Sequence, residues 1–283
     1  MKVVDTITRM STLVKMYKKE GKSISLVPTM GYLHEGHLSL VRAARKHTDV
    51  VIMSIFVNPM QFGPKEDFEK YPKDLNRDEE LATSAGADIV FHPSVKDMYP
   101  AGYSTYVSVE GLTDNLCGAS RPEHFKGVTT VVAKLFEIIR PDLAYFGQKD
   151  AQQAIVIKKM TDDLNMGIEI KIMPTMREPD GLAMSSRNVY LSADERKDAP
   201  ALYGSLKKAE DMIRAGERDA KKVIKMMQES IKAVPGAKID YVSVVDTINL
   251  KDMKTIAGDI LIAVAVFIGK TRLIDNTMMK GIK

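Results

Sequence analysis

Apolar and polar positions alternate along this chain with two rhythms. Short, nearly continuous apolar runs read as buried strands, and between them apolar residues recur at helical spacing. Ile24–Val27 is the first such run, with a turn expected over 28–33 and a helix from His34, whose stripe continues through Leu38, Val41 and Ala44. Val50–Val57 is a second run, of the kind a parallel strand buried on both faces presents. A loop is expected over 63–72, which is rich in Gly, Pro and charge and reads as mobile. A helix follows from about Lys73 to Ala85, then strands at Asp88–Phe91 and, more briefly, Thr105–Val109. A helix over Val128–Ile139 stops before Pro141. A strand at Leu143–Phe146 leads through a Gly147–Asp150 turn into a helix over about Ala151–Leu164, and Ile168–Met173 is a further strand. The β-α-β alternation predicts an α/β parallel sheet with right-handed crossovers, a Rossmann-like domain over residues 1–175. Past Pro174 the rhythm changes. Two amphipathic helices are expected within 192–233, joined near Gly216, and strands at Lys238–Val245 and Ile260–Ile268. That pattern predicts a smaller α+β domain over 176–283.

Composition narrows the class. The 283 residues are 45% apolar and 28% charged, the balance of a globular chain able to bury a core. A net charge of +4 without a long basic run gives no footprint for nucleic acid, and no apolar run reaches membrane-spanning length. The single cysteine, Cys117, excludes an intrachain disulfide and reads as a small buried hydrophobe. The amino terminus lacks a signal-type apolar core, so the expected location is the cytoplasm.

The chemistry concentrates where predicted strands end. His34 and His37 lie one turn apart at the expected start of a helix, where backbone N–H groups and the dipole favour phosphate, and Gly36 leaves room for a ligand to approach. The P-loop fails at two places in the chain, and the zinc-protease motif at one. Gly31 to Gly36 has the glycine interval of a P-loop, but His37 and Leu38 replace its Lys and Ser/Thr. Gly269-Lys270-Thr271 has Val264 where the first glycine belongs. The histidines are three apart, not the four of a zinc-protease helix. Asn58 and Gln61 follow the second strand, and Lys149 and Asp150 the turn after Phe146. Arg121, His124 and Lys126, set between turn residues, are candidates to face a phosphate.

The ordered set PTMGYLHEGH, NPMQFG, EDFEKYP, HFKGV, YFGQKDAQQ and REPDGLAMSSRN resembles the pantothenate synthetase (pantoate–β-alanine ligase) family of the HIGH-type nucleotidylyl transferase superfamily, and covers nearly the whole chain. The resemblance implies an ATP-dependent ligase that joins pantoate and β-alanine through an acyl adenylate, with Mg²⁺ on the ATP phosphates, acting as a homodimer. It implies catalytic roles for His34, His37 and Lys149. ATP contacts would come from Met30, Gly31, Tyr32, Leu33, His34, Glu35, Gly36 and His37, from Gly147, Gln148, Lys149 and Asp150, and from Met176, Met184, Ser185, Ser186 and Arg187. Asn58, Gln61 and Gln153 would bind substrate, and Asp78 is the candidate metal ligand. The sequence departs from the family at Glu123, where glycine is common. Two other readings stand beside this one: a related transferase that stops at nucleotide transfer, and a nucleic-acid-binding module, against which the absence of tryptophan and of an appended domain argues.

Overall fold

In the computed structural model, which describes residues 1–64 and 66–283, the apolar runs become strands of one parallel sheet. Lys65, within the loop expected at 63–72, lies outside the described residues. The strands are β1 (Lys2–Val4), β2 (Ile24–Thr29), β3 (Val50–Ile55), β4 (Ile89–Phe91), β5 (Leu143–Gly147) and β6 (Glu169–Met173), in the order β1-β4-β3-β2-β5-β6. Setting single-turn helices aside, the connections carry α1 (Ile7–Lys19), α2 (Glu35–Arg45), α3 (Leu75–Ala85), α4 (His124–Ile139) and α5 (Ala151–Asp163). All six residues of β3 are buried, as its nearly continuous apolar VVIMSI requires of a strand covered on both faces.

Four elements differ from the sequence reading. β1 was not expected, because three residues carry no periodicity; it forms by pairing Lys2, Val3 and Val4 with Ile89, Val90 and Phe91. β2 runs on through Pro28 to Thr29, where a turn was expected. Its ladder to β5 covers only Ser25 and Leu26, so its end is paired on one side, a place where a residue without an N–H is tolerated. Thr105–Val109 is not a strand. Its backbone is satisfied by hydroxyls of α4: the Val107 N–H donates to Thr130 Oγ1 at 3.0 Å, and Thr129 Oγ1 donates to the Val107 carbonyl at 2.6 Å. The fourth is a strand beyond Ile268, described below.

α4 begins four residues before the expected Val128, and Glu123 caps it with φ 67°, ψ −9°. An L-residue with a Cβ is strained in this left-handed region by about 1–2 kcal/mol, and glycine is not. The position thus favours the glycine that the resemblance leads one to expect there. Glu123→Gly is expected to raise the melting temperature by about 2 °C, since glycine's extra unfolded entropy cancels part of the gain. The exposed Glu123–Lys126 pair offers little to lose. Thermal unfolding of Glu123→Gly beside Glu123→Ala, which keeps the Cβ and should show no gain, checks this.

The chain forms two compact units. One comprises Met1–Glu110, Arg121–Gln148 and Gln153–Pro174; the other comprises Gly111–Ser120, Lys149–Gln152 and Thr175–Lys283. In the second unit β7 (Ala237–Asp246), β8 (Gly258–Ile268) and β9 (Thr271–Ile282) form an antiparallel sheet, covered by α6 (Ala201–Arg214) and α7 (Ala220–Lys232). Leu202, Leu206, Val223, Met227, Ile262 and Val264 are central to its core. β9 escaped the sequence reading because polar Asp275 and Asn276, both buried, interrupt its apolar pattern. Gly269 and Lys270 are the two-residue hairpin between β8 and β9, which accounts for a Gly-Lys-Thr triplet that is no phosphate loop. Among the described residues no helix is long and apolar enough to cross a membrane.

Candidate active site

From β2 the chain builds outward through β3 and β4 on one side of the sheet, then returns to lay β5 and β6 on the other. The direction of building reverses between β2 and β5, and in open parallel sheets ligands bind in the crevice beyond the strand ends at that point. The segments leaving β2, β3 and β5 there are Met30–His37, Asn58–Gln61 and Gly147–Gln148.

The turn after β2 is shaped by a buried carboxylate. Tyr32 and Leu33 each donate an N–H to Asp78, at 2.7 Å to Oδ2 and 2.7 Å to Oδ1, and Asp78 is 1% exposed. Burial pushes the Asp78 carboxyl above its ordinary value, against the lowering by those two N–H groups. Gly31 has φ 85°, and a Cβ there would lie 2.9 Å from Asp78 Oδ2 and 3.0 Å from Ile55 Cγ2. With both oxygens engaged, Asp78 braces the turn and does not fit the expected role of metal ligand. Among the described residues, no group of three or more His, Cys, Asp or Glu could hold a metal ion.

The two histidines form a reciprocal cap. His34 is the N-cap of α2 rather than its first residue; its Nδ1 accepts the Gly36 N–H at 3.1 Å, while His37 Nδ1 accepts the His34 N–H at 3.3 Å. A ring nitrogen that accepts a hydrogen bond carries no proton, so each neutral imidazole holds its proton at Nε2. The rings lie 4.0 Å apart. The cap sets both imidazoles at a helix start whose backbone donors it partly uses. The Glu35 carboxylate pairs with Arg42, two turns further along the helix.

Beyond β3, Asn58 is 1% exposed and saturated. Its Nδ2 donates to the Gly127 carbonyl at 3.0 Å and to Gln61 Oε1 at 3.1 Å; its Oδ1 accepts the Met60 N–H at 3.3 Å and the Tyr99 hydroxyl at 2.9 Å. The expected substrate contact by Asn58 is therefore replaced by a supporting role, since no donor or acceptor remains for a ligand. Gln61 keeps its amide nitrogen toward the Met30 thioether, 3.2 Å away. Gly127 brings α4 against this turn so closely that a Cβ would stand 2.3 Å from the Met60 carbonyl oxygen.

Arg121 and His124 do not stand ready for phosphate. Arg121 forks onto Glu66 at 2.7 and 2.6 Å and donates to the Gln61 carbonyl at 3.2 Å; His124 Nδ1 donates to the same carbonyl at 2.8 Å. Burial alone would raise the Glu66 carboxyl, but Arg121 outweighs it and the net displacement is downward. Lys126 pairs with Glu123 and lies over the Tyr106 ring. This cluster clasps the Gln61 turn, a use of charge that local sequence cannot distinguish from anion binding.

Gln153, in the first turn of α5, is half-buried and its amide makes no hydrogen bond among the described residues. Its neighbour Gln152 is spent within the second unit, holding Leu112, Asn115 and Cys117. In that unit Lys149 and Asp150 occupy a 3-10 turn, their charges 3.9 Å apart, and the Lys149 carbonyl accepts from Asn276 at 2.9 Å. The segment from Met176 folds back on itself, the Met184 N–H donating to the Met176 carbonyl at 3.0 Å. Arg177 pins it with a bidentate pair to Asp275, at 2.6 and 3.0 Å, and stacks on Tyr203. Ser185 then caps a short 3-10 helix, Ser186–Tyr190, which carries Ser186 and Arg187. Arg177 and Asp275 were not singled out in the sequence, because their partnership spans nearly a hundred residues.

Comparison with known proteins places the chain among sequences of one kind. The profile of the family described as pantoate-beta-alanine ligase matches residues 2–278. Proteins named pantothenate synthetase from Moorella thermoacetica and Acetivibrio thermocellus are 59% and 58% identical to it, each alignment covering 99% of this chain and 99% or 100% of the relative. The crystal structure of pantothenate synthetase from Thermus thermophilus superposes with a TM-score of 0.93 at 43% identity, covering 98% of this chain and 99% of that one. A pantoate-beta-alanine ligase from Francisella tularensis, described as complexed with beta-gamma ATP and beta-alanine, superposes with a TM-score of 0.80 at 35% identity, covering 98% and 97%.

Proposed function

The chain belongs to the pantoate–β-alanine ligase family, and from that premise we propose how its residues divide the work of an ATP-dependent condensation of pantoate with β-alanine. The reaction has two halves. The pantoate carboxylate attacks the α-phosphorus of ATP in line, pyrophosphate leaves with the bond's electrons, and pantoyl adenylate remains. The neutral amine of β-alanine then attacks the activated carbonyl, AMP leaves and the amine proton passes to solvent. No group of the protein becomes covalently attached, so its contribution is positioning and charge stabilisation.

The observation that carries this reading is the reciprocal His34–His37 cap at the switch point of the sheet. Two Nε2–H donors set there suit the negative charge that gathers on bridging and leaving phosphate oxygens. Further phosphate contacts are assigned to Lys149, Ser185, Ser186 and Arg187, and a ribose contact to Asp150. Main-chain and side-chain surface of Met30–His37, Gly147, Gln148, Met176 and Met184 completes the assignment for ATP. Gln61 and Gln153 are assigned to the hydroxyl and carboxylate oxygens of pantoate, for which amides are suited. Mg²⁺ is assigned to the triphosphate itself, because this ion is usually held by substrate phosphates with few protein ligands. We also infer a homodimer, the commonest closed assembly, a cytoplasmic location and no nucleic-acid partner.

The test is isotope exchange of pyrophosphate into ATP. Exchange is expected with pantoate present and β-alanine absent, because the adenylate forms before the amine is needed. Exchange without any acid, or none with pantoate, would overturn the two-step order.

A further inference from the structure

The hydrogen-bond directions around Asn58 can be assigned without ambiguity, because two of its partners are backbone groups. The Gly127 carbonyl can only accept, so the atom facing it is Nδ2; the Met60 N–H can only donate, so the atom facing it is Oδ1. Oδ1 cannot donate, and the Tyr99 hydroxyl 2.9 Å away therefore gives its proton to it. Burial pushes the Tyr99 phenol well above its ordinary range, which keeps that proton in place at any working pH. The second N–H of Asn58 points at Gln61 and demands an acceptor there, which fixes the Gln61 amide with Oε1 inward, 3.1 Å away, and Nε2 outward. Among the described residues that Nε2 meets a thioether, a weak acceptor that leaves donor capacity unspent.

We propose that Tyr99 is a positioning residue which, through Asn58, holds Gln61 as an obligate hydrogen-bond donor toward the acid substrate. The proposal rests on the assignment of Gln61 to pantoate and adds to it a polarity: the group of the acid opposite Gln61 must be an acceptor oxygen. A free amide can rotate by half a turn and offer either face. Here a flip of Gln61 would bring its nitrogen against the Asn58 nitrogen, and a flip of Asn58 would bring its oxygen against the Gly127 oxygen. Tyr99 adds the bond that makes the Asn58 orientation the costly one to leave. Its own ring is seated edge-on against Tyr103 at 5.1 Å and near Phe56 at 6.2 Å, so the hydroxyl is delivered from a fixed body.

The experiment is a double-mutant cycle of Tyr99→Phe, which removes only the hydroxyl, and Gln61→Ala, read as KM for pantoate, KM for ATP, and melting temperature. Tyr99→Phe is expected to raise the pantoate KM by about threefold to tenfold, the worth of one hydrogen bond, with the ATP KM and melting temperature little changed. In the Gln61→Ala background the same change should have almost no further effect, because the residue it acts through is gone. Equal effects in both backgrounds, or a fall in melting temperature with no change in the pantoate KM, would overturn the relay. Gln61→Ala with an unaltered pantoate KM would instead remove the assignment of Gln61 on which the relay rests.

Discussion

His37→Ala is expected to lower turnover by on the order of 10²-fold or more while the KM for ATP changes little, because a donor that meets charge developing in the transition state is worth most there. The side chain does two things, and alanine removes both. Its Nδ1 closes the cap by accepting the His34 N–H, and its Nε2 carries the proton to which the proposed phosphate role is assigned. Loss of a cap costs about 0.5–2 kcal/mol of stability, which unfolding measurements read separately from rate. His37→Asn divides the two roles: its carbonyl can replace the Nδ1 acceptor, but nothing replaces the Nε2 donor. The asparagine variant should therefore recover most of the stability and little of the turnover. If it recovers the turnover, His37 acts only as a cap.

Asp78→Ala should be the most destabilising single change in the site. It leaves the Tyr32 and Leu33 N–H groups buried without acceptors, each worth about 1–3 kcal/mol, for a total on the order of 2–6 kcal/mol. Asp78→Asn should lie between, because an amide oxygen satisfies one N–H while the amide nitrogen opposes the other. Activity should fall in parallel with stability, since the turn leading to the histidines loses its anchor. A Mg²⁺ titration separates this role from metal binding. A brace predicts that excess Mg²⁺ restores nothing in Asp78→Asn; recovery of activity with rising Mg²⁺ would return Asp78 to the metal.

The sheet was legible because β3 and β4 are buried along their whole length, which gives nearly continuous apolar runs, VVIMSI and IVF. The order of motifs likewise gave the family and its reaction. What was not legible depended on partners far apart in the chain. Asp78 reads in the sequence as a candidate metal ligand, and only the turn 45 residues earlier, which closes on its carboxylate, reveals the brace. Arg121 and His124 looked like anion ligands because charge between turn residues has the same local signature whether it meets phosphate or, as here, Glu66 and a carbonyl. Thr105–Val109 has the alternation of a strand, yet pairing needs a second strand edge, and the side-chain hydroxyls of Thr129 and Thr130 took its place. β9 failed in the opposite sense: a strand with a buried ionic partner, Arg177 on Asp275, breaks the pattern by which strands are recognised.

The reversal of sheet order between β2 and β5 also has a kinetic side. β2 and β3 pair residues such as Ser25 and Val51 that are near in sequence, whereas Ser25 and Leu143 must meet across most of the first unit before β5 can join. Loop-closure entropy makes the second union the slower one, so one flank of the crevice is complete early in refolding and the other late. A chain emerging from the ribosome would have β2, α2 and β3 synthesised well before β5, the strand that completes the crevice. Ligand added to a refolding chain can then stabilise only its final stage, and regain of activity should trail the recovery of secondary structure.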